Sequence, residues 1–491
     1  MATTKKQTSI SELQPKEVWR HFYALTQIPR PSKKDQKAAE YILEFGKKLG
    51  LKSIKDEIGN IIISKPATQG LEKCRGIILQ AHIDMVPQKN NDKKHDFEKD
   101  PIEAYVDGDW VTANGTTLGA DNGIGVAAAM AVLESKTIAH GPLEVLITID
   151  EETGMTGAKN LSPKSLKGEI LINLDSEDEG EIYVGCAGGL DGTYTFKYKK
   201  EELPKGYIPL QLNVTGLKGG HSGMDIILGR ANANKVIFRL LKILTNKIDA
   251  RLVSIDGGSL RNAIPREAFA VIAIDKNKET ELKKIIADFQ KTIKAEYQAV
   301  DDGIKILIEK AAKPKEVISK KTQIALIDAI YACPNGVIRM SDAMPGLVET
   351  STNLAIVKSD AGKIEVKCLM RSSVDTAKDD LAEAMESVFR MAGAKSEFTG
   401  GYSGWKPNVK SPILVVMQET YKKLYKKTPE IKAIHAGLEC GIFGGIYPKW
   451  DMISFGPTIR HPHSPDEKVN IATVDKFWKF LVATLKNAPK K

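Results

Sequence analysis

The chain has 491 residues, 42% of them apolar and 27% charged, so it is long enough for two or three domains and too apolar for wholesale disorder. Its 71 basic and 62 acidic residues leave a net charge of +9, and the lysines are dispersed along the chain, which argues against a nucleic-acid-binding surface. No apolar run approaches the length of a membrane span, the N-terminus lacks a secretory apolar core, and the five cysteines form no CxxC pair, so we expect a cytoplasmic protein without a disulfide framework.

The first part of the chain alternates helix-like and strand-like segments. Apolar residues at helical spacing predict two helices within residues 14–50, on either side of a Pro-rich turn, and a third at 121–134. Strand-like apolar runs lie at 60–65, 76–86, 143–150 and 169–175. Buried strands that alternate with helices are typical of the α/β class, and we expect a mixed sheet flanked by helices.

The middle of the chain has a different texture. Between about 187 and 203 a Gly-rich segment gives way to a Lys-rich one, and a second boundary, rich in Gly and Pro, lies at about 398–412. After that boundary the pattern of the first part returns. We therefore predict a discontinuous domain of residues 1–188 and 403–491, with an inserted α+β domain at 189–402.

Acidic and histidine side chains follow the predicted strands where those strands end. They are His82, Asp84, the triplet Asp150, Glu151 and Glu152, Asp175, His461 and His463, and Asp121 opens the predicted third helix. Because ligand groups gather at the carboxyl ends of strands in open α/β sheets, we expect these side chains to meet at one rim. Each alone is typical of a solvated loop or a helix cap, but acids crowded together would repel one another without cations. A pair of zinc ions needs a bridging carboxylate and further nitrogen and oxygen ligands, which this set contains.

Other catalytic motifs are poorly supported. The string GIGVAA at 123–128 fits a dinucleotide-binding pattern, but it follows a polar loop where that pattern requires a strand. The sequence has no GxSxG, no HExxH and no phosphate-binding GxxxxGK[ST] motif. The residues therefore favour metal-assisted chemistry.

Several strings closely resemble those of the aminoacyl-histidine dipeptidases, also called cytosolic non-specific dipeptidases or peptidase D. The strings are QAHIDMVPQKNND, GTTLGADNGIG, GPLEVL, LINLDSEDEGEIYVGCAGG, GLKGGHSG, RNAIPREAFA, IHAGLECG and GPTIRHPHSPDEKV. The family comprises dinuclear zinc exopeptidases related to glutamate carboxypeptidases and aminoacylases. The resemblance covers nearly the whole chain and implies that the discontinuous domain is catalytic and the insert a lid. One departure is Asp150, where relatives often carry threonine or another residue.

The resemblance implies a set of metal ligands. Asp121 would bridge two divalent ions, His82 and Asp175 would complete one site, and Glu152 and His463 the other. We expect zinc, although cobalt and manganese suit the same ligand types.

The resemblance also implies roles beside the ligands. Asp84 would hydrogen-bond the ring nitrogen of His82 that faces away from the metal. Glu151 would be the general base and then the acid, and its neighbour Glu152 cannot share that role if the two point opposite ways. His461 lies outside the matching string HSPDE, and we interpret His461, His21, His95 and His140 as non-functional.

The inserted domain contains its own implied site residues. His221 would polarise the scissile carbonyl, Asn262 would bind the substrate backbone, and Arg371 would bind the substrate carboxylate. We expect the HAGLE string, residues 435–439, to line the cleft, and we assign no role to either end of it.

The activity implied by the resemblance is metal-dependent hydrolysis of unblocked dipeptides, of Xaa-His type with broad specificity. The alternative is a related metallo-carboxypeptidase or aminoacylase that acts on longer or N-acylated substrates. A non-catalytic binding protein would have lost ligands, and every expected ligand is present. The resemblance also implies a homodimer and closure of the lid on small peptide substrates, with hinges near 188 and 402.

Overall fold

The computed structural model describes residues 9–360 and 362–490, and the chain divides into two compact units. The first unit contains the described residues of 1–185, 407–433 and 439–491. The second unit contains those of 186–406 and 434–438. The return of residues 434–438 to the second unit is not indicated by any sequence pattern.

Eleven α-helices occur within the described residues. They are α1 Lys16–Thr26, α2 Gln36–Lys48, α3 Ala120–Glu134, α4 Thr156–Lys159, α5 Ala233–Ile248, α6 Glu279–Tyr297, α7 Lys320–Ala332, α8 Asp375–Met391, α9 Pro412–Tyr425, α10 Glu439–Ile446 and α11 Ile471–Lys486. Polar N-caps help to define where several begin. The Ser319 hydroxyl accepts the N–H of Thr322 at the start of α7, and the Asn470 side chain accepts that of Thr473 at the start of α11.

The described residues also contain twenty-five strands, most of them short. The strands of the N-terminal part are β1 Lys52–Lys55, β2 Ile61–Lys65, β3 Ile77–His82, β4 Ala104–Asp107, β5 Trp110–Ala113, β6 Leu143–Thr148, β7 Ile170–Asn173 and β8 Glu181–Cys186. Those that follow are β9 Gly188–Lys197, β10 Lys200–Glu202, β11 Tyr207–Thr215, β12 Gly220–His221, β13 Arg251–Gly257, β14 Ala263–Ile264, β15 Ala268–Asp275, β16 Lys305–Lys310, β17 Glu316–Ile318, β18 Gly336–Met340, β19 Val348–Asp360, β20 Lys363–Ser372 and β21 Lys395–Tyr402. The last are β22 Glu430–Ile434, β23 Asp451–Ser454, β24 Ile459–Arg460 and β25 Lys468–Asn470.

The first unit is built on a mixed eight-stranded sheet in the order β1-β2-β6-β3-β7-β23-β8-β22. Strands β6, β3, β7 and β23 run parallel, whereas β1, β2 and β8 are antiparallel to their neighbours. Helices α1 and α3 pack together, and α3 lies on β3. The parallel strands β3 and β7 are buried along their whole length, which explains their continuous apolar sequence. The predicted α/β class with a mixed sheet flanked by helices is confirmed.

The second unit is built on an antiparallel sheet in the order β16-β11-β15-β13-β19-β20-β9-β21, with β18 added alongside β19. Helices α6, α5, α7 and α8 pack side by side against this sheet. One apolar core joins them, and in it Tyr194 of β9 stacks on Phe389 of α8 with their ring centroids 4.0 Å apart. No helix in the described part of either unit combines the length and hydropathy needed to cross a membrane.

Candidate metal centre and substrate-binding residues

Three of the predicted metal-binding segments follow neighbouring parallel strands of the first unit. His82 ends β3, Glu152 lies in the turn after β6, and Asp175 comes two residues after β7. Since β3 lies between β6 and β7 and runs parallel to both, the three side chains emerge at the same edge of the sheet.

Asp121 lies between two histidines and presents one carboxylate oxygen to each. Its Oδ1 is 3.2 Å from His82 Nε2, and its Oδ2 is 3.2 Å from His463 Nε2. His82 Nε2 is also 3.3 Å from Asp175 Oδ1, and His463 Nε2 is 3.0 Å from Glu152 Oε1. The five side chains therefore form two ligand groups that share Asp121, and within each group the ligand atoms lie within 4.8 Å of one another.

The charge of this cluster favours cations. Burial alone would lower the pKa of His82, but Asp175, Asp121 and Asp84 outweigh it and raise that pKa well above its ordinary value. Hydrogen bonds to Asp121 and Glu152 raise the pKa of His463 to about 11. Burial also raises the pKa of Asp175 to about 6. The carboxylates thus favour the protonated form of both histidines, and divalent cations would supply the same positive charge.

These residues fit a pair of metal ions. They provide imidazole nitrogens and carboxylate oxygens without thiolates, the donor set that suits zinc and its divalent relatives. Asp121 directs one oxygen toward the histidine of each ligand group, as a bridging carboxylate requires.

Asp84 supports both His82 and the loop after β6. Its Oδ1 is 3.4 Å from His82 Nδ1, the ring nitrogen that faces away from Asp121. The same carboxylate accepts the backbone N–H groups of Glu151 at 2.9 Å and Glu152 at 3.3 Å. Ser32 donates its hydroxyl to Asp84 at 2.7 Å. Asp84 therefore also positions the Glu151–Glu152 loop, a contact that strand-end reasoning does not reveal.

Glu151 lies beside the ligand cluster. It forms a candidate group with His82 and Glu152, and burial raises the pKa of its carboxyl well above the ordinary value. A carboxyl group with a raised pKa is a stronger proton acceptor than an ordinary carboxylate and suits general acid–base catalysis.

His221 ends β12 of the second unit, directly before a tight turn, and its tautomer is defined. Its Nδ1 accepts the backbone N–H groups of Gly223 at 3.2 Å and Met224 at 3.0 Å. Burial, followed by the nearby charge of Arg371, lowers the pKa of His221, so the ring is neutral at pH 7. A neutral ring whose Nδ1 is an acceptor carries its proton on Nε2, so Nε2–H can donate to a substrate.

Arg371, on β20, is a buried cation without an anionic partner. Its side chain donates from Nη1 to Tyr402 Oη at 3.1 Å, while its Nε has no hydrogen-bond partner among the described residues. Among the described residues, Asp191 interacts with Arg371 only at longer range, and its ion pair, at 3.6 Å, is with Arg261. A buried guanidinium in this state is suited to bind an external carboxylate.

Asn262 and residues 435–438 of the HAGLE string also belong to the second unit. The Asn262 carbonyl accepts the N–H of Ser222 at 2.7 Å, which places the RNAIP strand beside the turn of His221, and its side chain is exposed. His435 Nε2 is 2.7 Å from Ser351 Oγ. The backbone of His435 also packs closely against Gly223, because a Cβ on Gly223 would lie 2.1 Å from the His435 carbonyl oxygen. His221, Asn262 and His435 thus belong to one neighbourhood.

The remaining histidines stand apart from the ligand cluster. His461 is exposed, His21 pairs with Glu134 at 3.0 Å, His95 packs on Phe97, and His140 contacts the Gly141 carbonyl.

A network of buried, hydrogen-bonded polar side chains lies beneath the ligands, and it was not predicted from the sequence. Glu439 of α10 accepts bonds from Gln80 at 2.6 Å and Thr148 at 2.9 Å, and Asn173 donates to Gln80 at 2.5 Å. Gln80 and Asn173 each precede a predicted ligand by two residues, and Gln80 shares a face of β3 with His82. That spacing is the one signal from which this polar network could have been predicted.

Comparison with known proteins identifies the family. Residues 78–487 match the model of peptidase family M20/M25/M40. The cytosol non-specific dipeptidase of Escherichia coli strain K12 is 48% identical over 484 residues, which cover 99% of this chain and 100% of that relative. Aminoacylhistidine dipeptidase from Vibrio alginolyticus, whose crystal structure is known, is 50% identical with a TM-score of 0.95 and 99% coverage of both chains. Aminopeptidase PepT from Bacillus cereus, at 15% identity, shares only the fold, with a TM-score of 0.57 over 97% of this chain and 99% of that one. The resemblance identified from the motifs is confirmed, and this chain belongs to peptidase family M20/M25/M40.

Proposed function

We propose that this protein is a metal-dependent dipeptidase that hydrolyses unblocked dipeptides. The observation that carries the proposal is the placement of Asp121, with one carboxylate oxygen toward each of two histidines. The two divalent ions, with zinc the expected metal, would be held by His82, Asp121, Glu152, Asp175 and His463.

The chemistry divides between the ions and the protein. Bound divalent ions supply Lewis acidity and lower the pKa of a coordinated water to about 7. Glu151 accepts a proton from the attacking water and returns it to the leaving amine. Asp84 holds the Glu151 backbone and the His82 ring in place during these steps.

His221 would polarise the scissile carbonyl. Its Nε2–H is the available donor because two backbone N–H groups engage Nδ1. A donor with its tautomer fixed in advance needs no rearrangement when negative charge develops on the substrate oxygen.

Arg371 and Asn262 would determine which substrates fit. A buried guanidinium without an anionic partner recognises a free C-terminal carboxylate, and a carboxylate one residue beyond the scissile bond limits the substrate to a dipeptide. The exposed Asn262 amide is suited to the substrate backbone.

The names of the two similar dipeptidases support the substrate class. One relative is named a cytosol non-specific dipeptidase and the other an aminoacylhistidine dipeptidase, so we propose broad specificity that includes Xaa-His dipeptides, and a cytoplasmic location.

We also propose a homodimer formed through the second unit. Strand β18 pairs with β19 and, within the described chain, with no other strand, so one edge of it is free. Ile338 on this strand and Leu228 on the neighbouring turn are 45% and 46% exposed. An exposed apolar edge strand is a pairing surface. Ile338→Asp should reduce the mass measured by light scattering to that of one chain, whereas Leu307→Asp on the outer strand β16 should not.

The function is tested by hydrolysis of an unblocked Xaa-His dipeptide, compared with its N-acetylated form and with a tripeptide, before and after chelation and return of zinc. Zinc-restored cleavage of the free dipeptide alone is the expected result. Preferential cleavage of the acetylated peptide or the tripeptide would instead identify an aminoacylase or a carboxypeptidase. Absence of both cleavage and bound metal would overturn the proposal.

A further inference from the structure

Glu467 is a buried carboxylate that accepts hydrogen bonds from consecutive backbone N–H groups. Its side chain accepts the N–H groups of Leu118 at 2.8 Å, Gly119 at 3.0 Å, Ala120 at 2.7 Å and Asp121 at 3.2 Å. Glu467 is 2% exposed, so water does not compete for these four bonds. The string HPHSPDE contains this residue, but the proposed reaction assigns it no part.

The four donors are not simply the first turn of a regular helix. Asp121 has φ −80° and ψ 108° and Asn122 has φ −105° and ψ 30°, so the backbone departs from helical geometry where α3 begins. The Asn122 side chain then donates to the Leu174 carbonyl at 2.9 Å and to the Asp175 carboxylate. Glu467 thus holds an irregular segment that is fastened on its other side to a second candidate ligand.

The Arg30 side chain binds the same segment by donating hydrogen bonds to backbone carbonyl groups. The guanidinium donates to the Gly119 oxygen at 2.5 Å and to the Ile83 oxygen at 2.7 Å, so it joins the Asp121 segment to the loop after His82. Gly119 has φ +70°, and a Cβ there would lie 2.5 Å from Arg30 Nη2. The glycine of the GADN string is therefore required by the approach of Arg30.

We propose that Glu467 is a positioning residue for the metal centre, which fixes Asp121 relative to His463. Glu467 follows His463 by four residues, so one short loop supplies a candidate ligand and the acceptor that orients the shared carboxylate. Groups that orient metal ligands typically change metal affinity by about 10- to 100-fold when they are removed. This inference rests on the proposed metal site.

The test is cobalt and zinc titration of Glu467→Gln after chelation. Cobalt is followed by its visible absorption, and zinc by competition with a chromophoric chelator. The Gln amide keeps the size of the side chain but loses the charge and presents N–H groups to N–H donors. We expect at least one ion to bind about 10- to 100-fold more weakly, with an altered cobalt spectrum and an unchanged far-ultraviolet circular dichroism spectrum.

Two further variants separate the outcomes. Asp466→Asn removes the neighbouring exposed charge and should leave affinity and spectrum unchanged, and Glu467→Asp should retain part of the affinity. Wild-type affinity and spectrum in Glu467→Gln would overturn the inference, as would an equal loss in Asp466→Asn. Failure of both Glu467 variants to fold would also overturn it, because the residue would then serve the fold alone. A wild-type chain that binds no metal would instead overturn the proposed function.

Discussion

The two units build their candidate sites by different means. In the first, parallel strands deliver His82 and Asp175 to one edge, and the acids there form an anionic cluster. In the second, the short strand β12, the turn before β14 and the antiparallel sheet supply His221, Asn262 and Arg371, and the buried arginine has no acid at ion-pair distance. An anionic cluster attracts cations and a lone buried guanidinium attracts carboxylates, so the first unit is suited to metal ions and the second to substrate.

This contrast predicts that substitutions in the two units change different measured properties. Changes in the first unit should alter metal content, kcat or both, because those side chains hold ions or transfer protons. Changes in the second unit should leave metal content intact and act on substrate binding or on stabilisation of the developing charge.

The largest effect should come from Asp121→Asn. Loss of the shared carboxylate should reduce metal content below two ions per chain and remove most of an acceleration that in enzymes is commonly about 10⁶-fold or more. Metal analysis after dialysis and the dipeptide assay measure both quantities. Two retained ions with undiminished kcat would show that Asp121 is not shared.

Glu151→Gln should lower kcat without removing metal. General acid–base groups contribute about 10²- to 10⁴-fold, and the amide cannot accept the proton. The matched control is Asp150→Asn in the same turn, which should retain most of kcat. A normal kcat in Glu151→Gln would assign the base to another residue.

His221→Asn isolates the Nε2 donor. The Asn oxygen can accept the N–H groups of Gly223 and Met224 as Nδ1 does, so the turn is preserved while the donor is lost. We expect kcat to fall about 10²- to 10³-fold, as for the loss of one oxyanion donor, with KM and metal content nearly unchanged. An effect on KM alone would mean that His221 binds the substrate without stabilising the developing charge.

Arg371→Met should act on KM. Hydrogen bonds to charged groups contribute about 1.5–3 kcal/mol, so KM for a dipeptide should rise about 10- to 150-fold. The wild-type chain should prefer a free dipeptide to its C-terminal amide, and the variant should lose that preference. Arg390→Met, at an exposed arginine on α8 of the same unit, is the control.

The smallest effect concerns stability in acid. Burial, followed by the charge of Arg371, lowers the pKa of His435 to about 3, so between pH 6.5 and 3 the unfolded chain binds more protons than the folded one. Stability from this group is therefore present above pH 6.5 and is lost as the pH falls, by about 2 kcal/mol at pH 5. His435→Gln should flatten this dependence in urea unfolding of the chelated protein. An unchanged slope would contradict the assignment.

The sequence alone supports the α/β class and the family, because buried parallel strands are continuously apolar and the motif strings are long. It also indicates which side chains stand at strand ends, since strand direction and polar residues can both be read from one chain. For this reason His82, Glu152 and Asp175 could be expected at one rim before their distances were known.

Only the tertiary structure shows which groups hold those side chains. Glu467 bonds to backbone N–H groups nearly 350 residues earlier in the chain, and Arg30 reaches carbonyl groups of two separate loops. Backbone donors and acceptors carry no residue identity, so their partners leave no pattern in the sequence. The tautomer of His221 and the burial of Arg371 outside an ion pair likewise depend on what surrounds each side chain after folding, because hydrogen bonding and burial are set by neighbours distant along the chain.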